Sequence, residues 1–113
     1  MDNKKDDKYY VNKIIEDIEI ILKNTESMKQ NDLIINSPLC DSILFRIIQI
    51  SESSTGISSE LKDKYKNIPW RSIKNMRNKI VHEYGSVDLG VVYSTVKADI
   101  PHLYLSLKNI VFK

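Results

Sequence analysis

Sulfur, glycine and proline are scarce in this chain. One cysteine, Cys40, stands among 113 residues. A single thiol permits no internal disulfide and no cysteine metal centre. Cys40 falls inside an apolar pattern, so a buried thiol is expected rather than a nucleophile. Three glycines and three prolines are too few for a loop-rich or low-complexity chain. No apolar run approaches the length of a membrane span. Met1 to Lys8 is charged where a secretory leader would be apolar, so a cytoplasmic protein without membrane attachment is expected. An excess of one charge is missing too. The formal net charge of +2 does not by itself announce a nucleic-acid binder.

What is present is helical periodicity. Apolar content of 42% beside 28% charged residues suits one compact, soluble domain over residues 1–113. Ile14, Ile15, Ile18, Ile21, Leu22, Thr25 and Met28 share one stripe. Glu16, Asp17, Glu19 and Lys23 fall outside it, which predicts a first helix from about Asp6 to Lys29. Leu33, Ile34, Leu39, Ile43, Leu44, Ile47 and Ile48 predict a second, reaching about Ser54. Pro38 near its start marks either a late N-terminus or a kink. Ser58-Ser59-Glu60 reads as a helix start for a short basic helix to Tyr65. Asn67-Ile68-Pro69-Trp70 opens another, expected to run to Tyr84 and to stop at Gly85. Asp88 is placed to cap a last helix carrying Leu89, Val92, Val96, Ile100, Leu103, Leu107 and Ile110, with a kink expected at Pro101. No segment reads as a strand. The expected fold is all-α, a bundle of four to five helices.

Charge is unevenly placed along that frame. From Lys62 to Lys79 there are seven basic residues and one acid, Asp63. Arg71, Lys74 and Lys79 therefore form a candidate basic patch, since such a local field attracts a polyanion. A solvated helix face rich in lysine is the alternative. Arginine occurs only at positions 46, 71 and 77, so each one invites a reason.

The densest chemistry lies in Arg77-Asn78-Lys79-Ile80-Val81-His82-Glu83-Tyr84. Arginine offers a planar cation that forks onto a phosphate. Histidine takes and gives protons near neutral pH, and tyrosine adds a hydroxyl. If the helix continued through Tyr84, Asn78 and His82 would share a face, with Asn75 and Arg71 extending it backwards. Arg77 and His82 would stand about 140° apart around the axis, so one helix leaves the site incomplete and a second copy is expected to complete a cleft. Glu52 is an acid that could pair with Arg77. An ordinary helix end, with His82 favoured by the macrodipole, remains the alternative. His102 lacks a partner at ligand spacing and suits a capping or surface role. Asp6 and Asp7 pair carboxylates without context. No Gly-rich phosphate loop, nucleophile elbow or HExxH motif occurs, and neither a metal nor a cofactor is expected.

Pro69-Trp70-Arg71-Ser72-Ile73, followed by Met76-Arg77-Asn78-Lys79-Ile80-Val81-His82-Glu83-Tyr84, resembles the HepT-like branch of the HEPN superfamily. The family pattern is an arginine, a polar residue, three further residues, histidine, any residue and tyrosine, after a Pro-Trp-x-x-Ile-x-x-Met-Arg-Asn run. Ile100-Pro101-His102-Leu103 is similar to the family's late Leu-Pro-x-Leu. Ile47-Ile48-Gln49-Ile50-Ser51-Glu52 stands where the family often carries an apolar run ending in Gly-Glu-Ala, and Ser51-Glu52-Ser53 departs from it.

The resemblance implies a homodimeric, all-helical, metal-independent endoribonuclease toxin. Its partner would be an MntA-like minimal nucleotidyltransferase antitoxin that uses ATP. The RNA 2′-hydroxyl would attack the adjacent phosphate. His82 would move protons, Arg77 would hold the phosphate, and Asn78 would orient the phosphate or His82. Tyr84 matches the tyrosine that the antitoxin adenylylates. The competing expectation is a non-catalytic HEPN module that binds a nucleotide or docks a nucleotidyltransferase.

Overall fold

The computed structural model describes residues 5–81 and 86–112. Helix α1 spans Asp7–Asn24 and packs along α3, Ser37–Thr55. The short helices α2 (Asp32–Ile35), α4 (Ser59–Lys64), α5 (Trp70–Lys74) and α6 (Met76–Ile80) fill the connections. The last helical stretch comprises α7 (Leu89–Ser94), a π-helical turn (Thr95–Asp99) and α8 (Ile100–Lys108). All regular elements among the described residues are helical, as the periodicity predicts. One continuous core unites them, built on isoleucines such as Ile14, Ile18, Ile47, Ile50, Ile80 and Ile100. Full burial of one such side chain contributes roughly 1.5–3 kcal/mol.

The caps follow from short polar side chains. The Asp6 carboxylate accepts from the Tyr9 N–H at 2.9 Å and starts α1. Asp7 reaches across the fold and accepts from both the N–H and the hydroxyl of Ser58, at 2.7 and 2.6 Å. Ser58 in turn caps α4 by accepting from the Leu61 N–H. The two N-terminal carboxylates thus have structural tasks. Asp88 caps α7 as expected, accepting from the Val91 N–H at 3.1 Å.

Several boundaries differ from the sequence expectations. The first helix ends at Asn24, where the Thr25 hydroxyl donates to the Ile21 carbonyl at 2.7 Å. Thr25 and Met28 stay buried, so their stripe continues into a connection. The second helix begins late, at Ser37, with the Asn36 side chain as cap and Pro38 in the first turn. Asp17 is not on the solvent face. It is 1% exposed and accepts from Lys13 and Arg46, each at 2.9 Å. That pairing accounts for Arg46 and fastens α3 to α1. Gly56, after α3, leaves space for the Tyr10 ring, which an added Cβ would meet at 2.5 Å. The distortion expected at Pro101 takes the form of the π-turn ahead of it, in which the Ile100 N–H bonds the Thr95 carbonyl. Proline has no N–H for the carbonyl four residues back and its ring crowds that carbonyl, and a widened turn absorbs both effects.

Candidate functional site

The helix carrying the motif is shorter and more broken than its sequence suggests. Trp70 anchors its start by donating its indole N–H to the Tyr65 carbonyl at 3.0 Å. Ile73, Met76 and Ile80 are buried, which leaves Arg71, Asn75, Arg77, Asn78 and Lys79 exposed. The helix breaks at Asn75, whose φ of −92° and ψ of 3° separate α5 from α6.

Ser51 on α3 occupies that break. Its hydroxyl donates to the Ile73 carbonyl at 3.1 Å and accepts from the Arg77 N–H at 3.3 Å. These are the two groups that an unbroken α-helix would bond to each other. A side chain inserted into the ladder is a recognised cause of helix bending. Ser51 is 7% exposed and also accepts the Ser54 hydroxyl on its own carbonyl at 2.6 Å. The serine that departs from Gly-Glu-Ala is thus wired to the backbone of Arg77.

The expected continuation of this helix to Tyr84 is not observed. Helix α6 ends at Ile80, and Val81 is extended, with φ −98° and ψ 117°. Val81 forms an isolated antiparallel bridge with Val87. The Ile80 carbonyl accepts from the Asp88 N–H at 3.0 Å, a bond that takes the place of continued helix. The helical repeat that carries Arg77 and Asn78 therefore ends at Ile80. His82, Tyr84 and the expected stop at Gly85 lie outside the described residues.

Arg77 donates its guanidinium Nη1 to the Asn78 side-chain oxygen at 3.0 Å. Both residues are exposed. They border a small groove between α3 and α5–α6, about 340 Å³, with Lys74, Glu52 and Ser51. Glu52 therefore sits in the same groove as Arg77, but the two form no ion pair among the described residues.

The candidate basic patch divides in two. Lys74 accompanies Arg77 in the small groove, whereas Arg71 and Lys79 lie on a second, larger groove of about 1040 Å³. That groove separates α5–α6 from the π-turn and α8. Its far wall carries Thr95, Asp99 and His102. Asn78 borders both grooves. Lys79 stands 3.9 Å from Asp99, and both are largely exposed. Sequence reading gave His102 a capping or surface role and gave Thr95 and Asp99 none. Their spacing of three and four residues from one another marks a common helix face, but nothing local shows what that face opposes.

Cys40 is buried, as its apolar surroundings predict. Burial, and secondarily the neighbouring Asp41 carboxylate, push its thiol above the usual range. It has the character of a packed thiol rather than a nucleophile.

The family model described as "Ribonuclease HepT-like" matches residues 14–110. A protein of Thermococcus cleftensis named "Probable ribonuclease HepT" is 34% identical over 100 residues, covering 88% of this chain and 91% of that one. A Methanocaldococcus jannaschii protein named "Gamma-glutamylcyclotransferase and putative RNase" is 37% identical over 100 residues. The match covers 88% of this chain and 45% of that protein, so the chain spans less than half of that relative. No solved structure matches the chain.

Proposed function

The chain belongs to the HepT-like ribonuclease family, and on that premise we propose that it is a metal-independent endoribonuclease toxin. Arg77 and Asn78 are the groups that act on the phosphate. The observation that carries this reading is the Arg77 guanidinium, exposed and oriented by the Asn78 side-chain oxygen at 3.0 Å, at the end of the helix that leads into His82.

The reaction needs no group beyond those of the motif. The 2′-oxygen of RNA attacks the neighbouring phosphorus, and the bond from phosphorus to the 5′-oxygen breaks. The products are a 2′,3′-cyclic phosphate and a free 5′-hydroxyl. His82 accepts the 2′-hydroxyl proton and returns a proton to the departing 5′-oxygen. Arg77 donates to the non-bridging oxygens as charge builds on the pentacoordinate phosphorus, where a preorganised cation has most effect. Asn78 orients the guanidinium. Lys74, on the same groove, supports the phosphate electrostatically.

The partners proposed are RNA, a second copy of this chain and an MntA-like minimal nucleotidyltransferase, in the cytoplasm. The two copies of the motif would together complete the cleft. In the control step, the Tyr84 hydroxyl oxygen attacks the α-phosphorus of ATP, pyrophosphate leaves, and the tyrosine proton goes to solvent. The added AMP places bulk and negative charge next to the motif cations and opposes RNA binding.

Purified protein in EDTA is expected to cleave RNA, leaving cyclic-phosphate ends, and His82→Ala should abolish cleavage. Equal cleavage by the two proteins would indicate a contaminant and sink the reading. Nucleotide binding with no cleavage products at any concentration would instead establish a non-catalytic module.

A further inference from the structure

We propose that the larger groove, between α5–α6 and α8, is a base-selecting subsite of the ribonuclease, and that it favours RNA bases bearing an amino group. This rests on the ribonuclease reading above.

Four observations meet there. The floor is apolar, with Ile73, Met76 and Leu103 beneath it, as a flat aromatic base requires. Two cations on one wall, Arg71 and Lys79, complement the phosphates on either side of a base. The opposite wall holds the Asp99 carboxylate, whose 3.9 Å contact with Lys79 is between two largely exposed side chains that a ligand can part; an ionised carboxylate only accepts hydrogen bonds. Its partners on a base are N–H groups, such as the amino groups of guanine, adenine and cytosine. Uracil has no amino group, and its one edge donor, N3–H, lies between two carbonyl oxygens that repel a carboxylate. Asn78 joins this groove to the one containing Arg77, so a base seated here belongs to a nucleotide adjoining the phosphate on Arg77.

Thr95 supplies the fourth observation. It is 1% exposed on the groove wall, and its hydroxyl has no hydrogen-bond partner among the described residues. A buried polar group without a partner destabilises the chain that carries it. Threonine in a helix ordinarily bonds a carbonyl one turn back, but here it opens the π-turn. Such turns occur frequently at functional sites. A base edge reaching this wall would satisfy the hydroxyl. The mixture of cations, acceptors and a flat apolar floor complements a nucleotide better than it does the apolar face of a protein helix.

The test uses the ¹⁵N-labelled full chain titrated with AMP, GMP, CMP, UMP and inorganic phosphate, followed by amide chemical shifts. Expected are shifts at Thr95, Asp99 and His102 with AMP, GMP and CMP, weaker shifts with UMP, and shifts confined to the Arg71 and Lys79 rim with phosphate. Thr95→Val should weaken nucleotide binding on the order of tenfold while raising the Tm of the free chain, because it deletes the unpartnered hydroxyl. Asp99→Asn, at an exposed position, should remove the bias against UMP and shift the bases at which RNA is cut.

Identical responses to phosphate and nucleotides would overturn base selection. So would Thr95→Val with unchanged affinity together with Asp99→Asn with unchanged base order. Groove shifts that follow protein dilution and ignore nucleotides would make the groove an interface between copies and overturn the proposal. RNA cleavage without nucleotide binding defeats this subsite alone. Nucleotide binding without RNA cleavage defeats the ribonuclease reading.

Discussion

The Ser51 hydroxyl accepts a hydrogen bond from the backbone N–H of Arg77 at 3.3 Å. The same oxygen donates to the carbonyl of Ile73, so one side chain on α3 spans a gap in the helix that presents Arg77, the arginine proposed to bind phosphate. Ser51 therefore sets the turn from which Arg77 projects. Ser51→Ala is expected to lower unfolding free energy by about 1–2 kcal/mol through lost hydrogen bonds to buried backbone groups. It should also slow RNA cleavage while leaving the two grooves folded. Denaturant titration and cleavage rates on the same preparation check both parts. Wild-type stability and rate together would show that the inserted hydroxyl is idle.

Arg77 is exposed and forms its side-chain hydrogen bond only to Asn78 among the described residues, so its role is legible in kinetics rather than stability. Arg77→Ala should change unfolding free energy by no more than about 0.5 kcal/mol and reduce cleavage roughly 10²–10³-fold. Arg77→Lys should recover little, because a point charge does not reproduce the planar fork. Full recovery by lysine would mean that charge alone suffices.

Asp17 is the buried hub of an ion-pair cluster between α1 and α3. Asp17→Asn keeps the shape but removes the charge shared by Lys13 and Arg46. Their side chains are each 30% exposed and can turn to solvent, so the expected loss is about 1–3 kcal/mol, smaller than for a fully enclosed pair. Thermal unfolding of the variant measures it. An unchanged Tm would show that the cluster contributes no net stability.

The raised thiol pKa of Cys40, caused by burial and then by Asp41, leaves the thiol protonated at neutral pH, where only the thiolate reacts. Thiol reagents should therefore label the folded chain slowly and the urea-unfolded chain rapidly. Fast labelling of the native protein at neutral pH would contradict this packing.

For Tyr84, incubation with the nucleotidyltransferase and ATP should add AMP to wild type and none to Tyr84→Phe, read by intact mass. Modified wild type should lose RNA cleavage. A wild-type mass unchanged by the treatment would remove adenylylation from the scheme.

Much of the fold was legible because its signals are local. The apolar stripes at helical spacing, the Ser58 and Asp88 caps and the late helix start at Ser37, with Pro38 in its first turn, all act within one or two turns. The motif helix misled for a related reason. Residues 70–84 carry a pattern compatible with continuous helix, yet Ile80 bonds Asp88 and Val81 pairs with Val87. Those partners arrive from the next segment, and helix propensity does not register them. Asp17 misled in the same way, since it looked like surface until Arg46, 29 residues later, closed over it.

The sequence by itself determined an all-helical chain with buried isoleucine stripes and an Arg77-Asn78 pair leading to His82 and Tyr84. Covalent order and the helical repeat suffice for that. Tertiary structure alone decided that Ser51 enters the motif helix, that the basic residues divide between two grooves, and that Thr95, Asp99 and His102 face Arg71 and Lys79. These relations join residues more than a dozen positions apart. They depend on how whole helices are laid against one another as the core closes, and side-chain spacing along one helix holds no record of that placement.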